Sequence, residues 1–242
     1  MRLQCLAFAV LAAASRAYTL APSCVPQRAA PLPRVAMLAA KTAEDPAVTK
    51  AASALLVEIG KEDRSMASID RLVGTLETTP RNKKIKKAVL GDWKLVYATD
   101  ADAVSLFTAG GADGPFAVLE DVYLRLRSGS EVQAIEVVRK IGPFGNMAQS
   151  LYGKFTLGGG GEDEADTLSW RPTYMVNERG REVDAPSDAA ARKEWQLTHV
   201  SSELLVLRRA ASSYVVCTKL AKGKLSAALE EAAVDADEIL GI

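Results

Sequence analysis

Histidine is almost absent from this sequence: His199 is the only one in 242 residues. A lone imidazole excludes His-rich metal sites and supplies a Ser-His-Asp constellation poorly, so His199 reads as a strand-edge residue. Cysteine is nearly as scarce, with three copies, two of which (Cys5 and Cys24) fall in the first 24 positions. The body then keeps only Cys217, which cannot close an internal disulfide and fits a reducing compartment. Cys217 sits in the strand-like run Tyr214-Val215-Val216-Cys217 and reads as a small buried hydrophobe, not a nucleophile. No glycine-rich loop ends in Lys-Ser or Lys-Thr, and no Gly-x-Ser-x-Gly elbow occurs. The run Gly158 to Gly161 leads into Glu162-Asp163-Glu164, which repels phosphate. No catalytic residue, metal site or cofactor is expected on these grounds.

Acids are missing from the front of the chain. Glu44 is the first, while Arg2, Arg16, Arg28 and Arg34 all precede it. Overall the 30 basic residues balance the 30 acidic ones, so a body starting near Met37 carries a net charge of about −4. An acidic body argues against nucleic acid as a partner, because phosphate binding needs clustered Lys and Arg. Met1-Arg2 followed by the apolar Leu3 to Ala14 has the form of a secretory signal, placed at 1–17. The Arg-, Pro-, Ser- and Ala-containing stretch 18–36 has transit-peptide composition. With Tyr18 directly after the cut, the pair resembles the two-part presequence of algae with secondary plastids. An ordinary secreted protein with a Pro-rich spacer is the alternative. Beyond the N-terminus no apolar run is long enough to span a bilayer.

The body, 37–242, is organised around Gly91-Asp92-Trp93-Lys94-Leu95-Val96-Tyr97-Ala98. Period-2 alternation puts Trp93, Leu95 and Tyr97 on one face of a strand, with Gly91 allowing a tight entry. Ahead of it the pattern is helical across 46–78: Asp45-Pro46 opens one helix, and Ile69, Leu72, Val73 and Leu76 mark a second over Met66 to Glu77. The basic patch Arg81 to Lys87 reads as a connector; Lys83, Lys84, Lys86 and Lys87 are candidate contacts with anionic lipid. Residues 101–114 read as a loop, in which Phe107 is a further candidate membrane contact. Strands then follow over 117–127, 131–140, 149–157, 167–176, 194–200, 203–208 and 213–219, with short turns between most of them. About eight mostly antiparallel strands over 91–219 predict a small closed barrel, which removes exposed edges. A last helix, 222–240, is expected to pack across it. The fold class is mainly β (α+β), a lipocalin-like antiparallel barrel with two N-terminal helices and one C-terminal helix.

Large aromatics recur on the strands. Trp93, Tyr97, Tyr123, Tyr152, Phe155, Trp170, Tyr174 and Trp195, together with Leu95, are the candidate lining of a pocket for one small hydrophobic ligand. Taken singly, each is as well explained as core.

Gly91-x-Trp93 is similar to the opening of lipocalins. The wider stretch Ile69-Asp70 through Leu76-Glu77-Thr78-Thr79-Pro80, then Leu90 to Thr99, resembles the plastid lipid-associated protein (fibrillin) family. In that family a helix ends in Leu-Glu-x-x-Pro ahead of a Gly-x-Trp strand. Thr198 to Arg209 occupies the place of the family's C-terminal motif; Leu204 and Arg208 agree with it, while Ser201, Leu205 and Arg209 depart from it. The resemblance covers roughly Lys50 to Lys219. It implies a plastid protein at thylakoid or plastoglobule surfaces that binds a carotenoid, prenyl quinone or acyl lipid without catalysis. It also implies that Arg208 lies near Trp93 at the closed end of the barrel. Two alternatives stand beside it: a stromal scaffold with a filled barrel that binds a partner enzyme, and a carotenoid-modifying enzyme. The enzyme needs an inward carboxylate, and among Asp121, Glu131 and Glu136 the pattern points none inward.

Overall fold

A computed structural model describes residues 46–79, 85–105, 107–109, 117–140, 146–159, 166–177, 179–185 and 193–230. The leader over 1–36, the Asp45 cap, Lys83 and Lys84 lie outside these residues, as does 231–240 of the expected C-terminal helix.

Among the described residues, two long helices and one short one precede the first strand. In α1 (Pro46–Ile59) the buried residues Ala51, Leu55 and Ile59 recur every fourth position, which makes one apolar stripe. Helix α2 (Met66–Glu77) starts on Ser65, whose side chain accepts the Ser68 N–H, and buries Ile69, Val73 and Leu76. Two short helices appear where the sequence pattern reads connector and loop: α3 (Ile85–Ala88) and α4 (Ala101–Ser105). Helix α4 is started by Asp100, whose carboxylate accepts the Ala103 N–H at 2.6 Å.

Nine strands occur among the described residues: β1 (Gly91–Ala98), β2 (Ala117–Arg127), β3 (Glu131–Lys140), β4 (Asn146–Gly158), β5 (Asp166–Val176), β6 (Glu182–Asp184), β7 (Lys193–Val200), β8 (Leu204–Ala210) and β9 (Ser213–Lys219). Their order is β4-β3-β2-β1-β9-β8-β7-β5-β6, every pairing is antiparallel, and a further ladder joins β4 to β5. Eight strands therefore close into a barrel, as the alternation predicts, and β6, which the sequence pattern does not show, pairs with β5 outside it.

Three apolar clusters result. The barrel interior holds Trp93, Val122, Leu124, Leu126, Leu151, Phe155, Trp170, Trp195 and their neighbours. A second cluster lies outside, where α1 and α2 cover Tyr97, Leu204, Val206, Tyr214 and Val216. In the third, Leu225 of the helical segment at 224–230 packs on Tyr123, Ile135 and Val137. Polar contacts tie α2 to the wall: the Tyr214 hydroxyl donates to Asp70 at 2.5 Å, and Arg208 makes a two-pronged pair with Glu77 at 2.9 Å. Asp70 and Glu77, which stand in the stretch that carries the family resemblance, thus serve as docking residues.

The closing β4–β5 ladder demands an unusually close approach. A Cβ on Gly153 would lie 2.1 Å from the Arg171 carbonyl oxygen. Gly159 has nothing within 4 Å of such an atom. Gly153→Ala is therefore expected to lower stability by about 2–3 kcal/mol through overpacking, while Gly159→Ala stays near wild type. Urea unfolding of both variants checks this; equal midpoints would refute the close-packing account.

Candidate ligand-binding site

One end of the barrel is shut by side chains. Trp93 is fully buried there and donates its indole N–H to the Val89 carbonyl at 2.8 Å. The Lys219 ammonium sits 4.8 Å from the centre of the Trp93 ring and donates to the Ala88 carbonyl at 3.1 Å. Gly91 lies against the same lysine: its φ is 144°, and a Cβ on it would meet Lys219 Cε at 2.6 Å. The cation over Trp93 is thus Lys219. Arg208 is on the outer face, 4.9 Å from the Tyr214 ring and paired with Glu77, which corrects the expectation that it lies near Trp93.

The candidate lining divides. Trp93, Phe155, Trp170 and Trp195 belong to the interior, and Leu95 packs against them. Tyr97, Tyr123, Tyr152 and Tyr174 do not line it, and the causes are visible in the backbone. A bulge between Leu95 and Tyr97 breaks the alternation of β1, so Tyr97 turns out under the helices, 5.9 Å from Tyr214. A second bulge, at Thr173 opposite the Tyr152–Gly153 step, turns Tyr174 out, where it stacks on Tyr152 at 4.8 Å. Tyr152 itself alternates with the interior residue Leu151, and its hydroxyl takes a Gln133 N–H at 2.8 Å. Tyr123 alternates with the interior residues Val122 and Leu124, and its hydroxyl donates to Asp121.

Phe107 is not a membrane contact. It follows α4, is 2% exposed, and stacks on Trp195 at 4.8 Å. Leu106 beside it lies outside the described residues. Lys86 and Lys87 are exposed on α3.

Between Phe107 and the aromatic wall the interior becomes polar. Lys193, which sequence reasoning passes over as the residue before a strand, opens β7 on the same face as Trp195 and Leu197 and is 4% exposed. Its Cα partner across the β5–β7 ladder is Trp170, and its ammonium lies 5.5 Å from that ring. It donates to the Ser105 carbonyl at 3.3 Å. Glu136 is 1% exposed and lies on the same face of β3 as the interior residues Val132 and Ala134, so one carboxylate does point inward. Its Oε1 accepts from the Gln149 side-chain amide of β4. Asp121 and Glu131 are not of this set: Asp121 pairs with Lys94 on the outside at 2.6 Å, and Glu131 is exposed. The indole N–H groups of Trp170 and Trp195 are buried with no hydrogen-bond acceptor among the described residues.

Electrostatics follow from this burial. Desolvation pushes the Lys193 ammonium down to about 8, with Glu136 pulling it back up. Desolvation alone raises the Cys217 thiol to about 12, so it is inert at neutral pH. His199 faces the helices, its Nδ1 lying 3.2 Å from the Leu76 carbonyl. Among the described residues no group of three or more His, Cys, Asp or Glu has the geometry to hold a metal ion, and no helix is long and apolar enough to cross a membrane. The arrangement is an apolar, aromatic interior with a few convergent polar groups beneath one end, the general form of a small-molecule site.

No protein-family model matches the chain, and no curated protein matches it.

The lowered Lys193 value carries a pH dependence. Above about pH 8 the folded chain has lost a proton that the unfolded chain keeps until near its ordinary value of 10.5, so stability rises with pH across that window. Lys193→Met removes the buried charge, so its stability advantage over wild type is expected to shrink by about 2 kcal/mol between about pH 7 and pH 9.5. Denaturant unfolding at both pH values measures it. A constant difference would mean that Lys193 is not desolvated in the folded state.

Proposed function

We propose that this protein is a non-enzymatic carrier that holds one small hydrophobic ligand inside its barrel. The observation that carries the reading is the interior itself: a wall of Trp93, Phe155, Trp170 and Trp195 with Lys193, Glu136 and Gln149 set into it. Core packing alone does not call for buried charges, which cost free energy unless something compensates them. Transfer of an apolar ligand from lipid would be driven by burial of its surface at ~25 cal/mol per Å². A carotenoid, prenyl quinone or acyl lipid fits that description. Peripheral association with a thylakoid or plastoglobule surface is part of the proposal, with the exposed Lys86 and Lys87 of α3 as the described contact candidates.

Titration of the purified protein with retinol, a neutral polyene, is expected to quench tryptophan fluorescence saturably at one ligand per chain. Mass spectrometry of lipid extracted from the protein as isolated is expected to find a stoichiometric apolar compound. A lipid-free protein that binds no polyene would overturn the carrier reading and favour a scaffold with a filled barrel. The inward Glu136 supports a second reading, an enzyme acting on the bound compound. Turnover that Glu136→Gln abolishes without loss of binding would put that reading in place of the carrier.

The plastid assignment rests on the leader. A fluorescent reporter carrying residues 1–36, expressed in an alga with a secondary plastid, is expected to enter that plastid. Secretion of the reporter would reject the assignment.

A further inference from the structure

We infer that the ligand is an amphiphilic acid, its carboxylate bound by Lys193 and the indole N–H groups of Trp170 and Trp195, with its chain along the aromatic wall. The inference rests on the carrier reading and adds a head group to it.

Among the described residues, hydrogen-bond donors gather on one wall of the barrel interior. An ammonium carries three N–H donors, and the Ser105 carbonyl takes one from Lys193. Two indole N–H groups, on Trp170 (2% exposed) and Trp195 (1% exposed), have no acceptor among the described residues. The interior carboxylate, Glu136, accepts from Gln149 through Oε1 and acts on the Lys193 ammonium from across the interior, so a bound acid shares that ammonium with it. A buried donor without an acceptor costs about 1–3 kcal/mol, so a surplus of donors on one face marks a place for acceptor atoms.

Strand register places the three donor residues side by side. Lys193 and Trp195 are two residues apart on the inward face of β7, and Trp170 is the Cα partner of Lys193 on β5. A carboxylate offers about four lone pairs in one plane, which matches two ammonium hydrogens and two indole hydrogens. An alcohol or an ether offers fewer and carries no charge to meet the ammonium. Phe107 stacks on Trp195 beside this corner, and Lys193, Trp170 and Trp195 are all buried, a setting that strengthens charge-assisted bonds. Beyond it Phe155, Leu168 and Trp93 continue the apolar wall toward the closed end, where a chain would lie.

The test uses cis-parinaric acid, its methyl ester and retinol as fluorescent probes on the full chain at neutral pH. Wild type is expected to bind the acid at least about 10-fold tighter than the ester, the size of a charge-assisted hydrogen-bond pair. Lys193→Met, which relieves a buried charge and should fold at least as well, is expected to abolish the preference, with acid affinity falling to that of the ester. Trp170→Phe and Trp195→Phe are each expected to weaken acid binding several-fold, with less effect on the ester. Equal affinity for acid and ester, or a preference that survives in Lys193→Met, overturns the head-group assignment and leaves the carrier reading standing. Failure of all three probes to bind overturns the carrier reading itself.

Discussion

The ladder between β4 and β5 is the constraint on which the rest depends. Seven of the eight barrel pairings join strands into a curved sheet; this one turns the sheet into a tube. Until it forms, Phe155 and Trp170, which are Cα partners across it, belong to two free edges. Once it forms, they become part of one interior with Trp93 and Trp195. The pairing tolerates no side chain at Gly153, where the two backbones come within contact of each other. A side chain at Gly153 would therefore strain the ladder that brings these aromatic residues into one interior. Any ligand inside depends on that closure, because an open sheet offers one wall and a barrel offers all of them.

Most of the fold was legible from alternation and turn chemistry. The limits of β2, β3 and β9 coincide with the periodic runs, and α2 spans the expected stretch. What alternation does not reveal is where it is interrupted. Bulges at the Leu95–Tyr97 step and at Thr173 insert a residue without leaving a composition signal, and each turns one tyrosine from the inner face to the outer. Four of the nine candidate lining residues were misplaced, two by bulges and two because each is an outward neighbour of inward residues. Short elements were illegible for a different reason. Helix α4 is too short for a helical period and depends on the Asp100 cap, while β6 exists only because β5 offers it a partner.

The polar part of the site was missed because it contradicts the rule used to find cores. Lysine and glutamate in strands ordinarily mark the solvent face, so Lys193 and Glu136 were assigned outward or passed over. Their burial becomes intelligible only in three dimensions, where Ser105 of α4, Gln149 of β4 and Trp170 of β5 surround them. The outer wall shows the complementary lesson. Its polar residues form a belt of named pairs, Lys94 with Asp121 and Arg125 with Asp92, and Tyr214 and Arg208 hold α2 in place. Charge outside the barrel fixes the helices and strands, while inside it Lys193 ties β7 to Ser105 of α4 and Glu136 ties β3 to Gln149 of β4.

The small strand β6 bears on how copies of this protein meet. A closed barrel hides its edges, but β6 adds one back by pairing with Tyr174, Met175 and Val176. That edge is three residues long, and Glu182 and Asp184 flank its single apolar residue, Val183. A strand from another molecule approaching there finds too short a run of free backbone groups to form a stable ladder, between two carboxylates that repel an identical edge. The same short strand thus lets copies of the protein crowd together without templating their own aggregation.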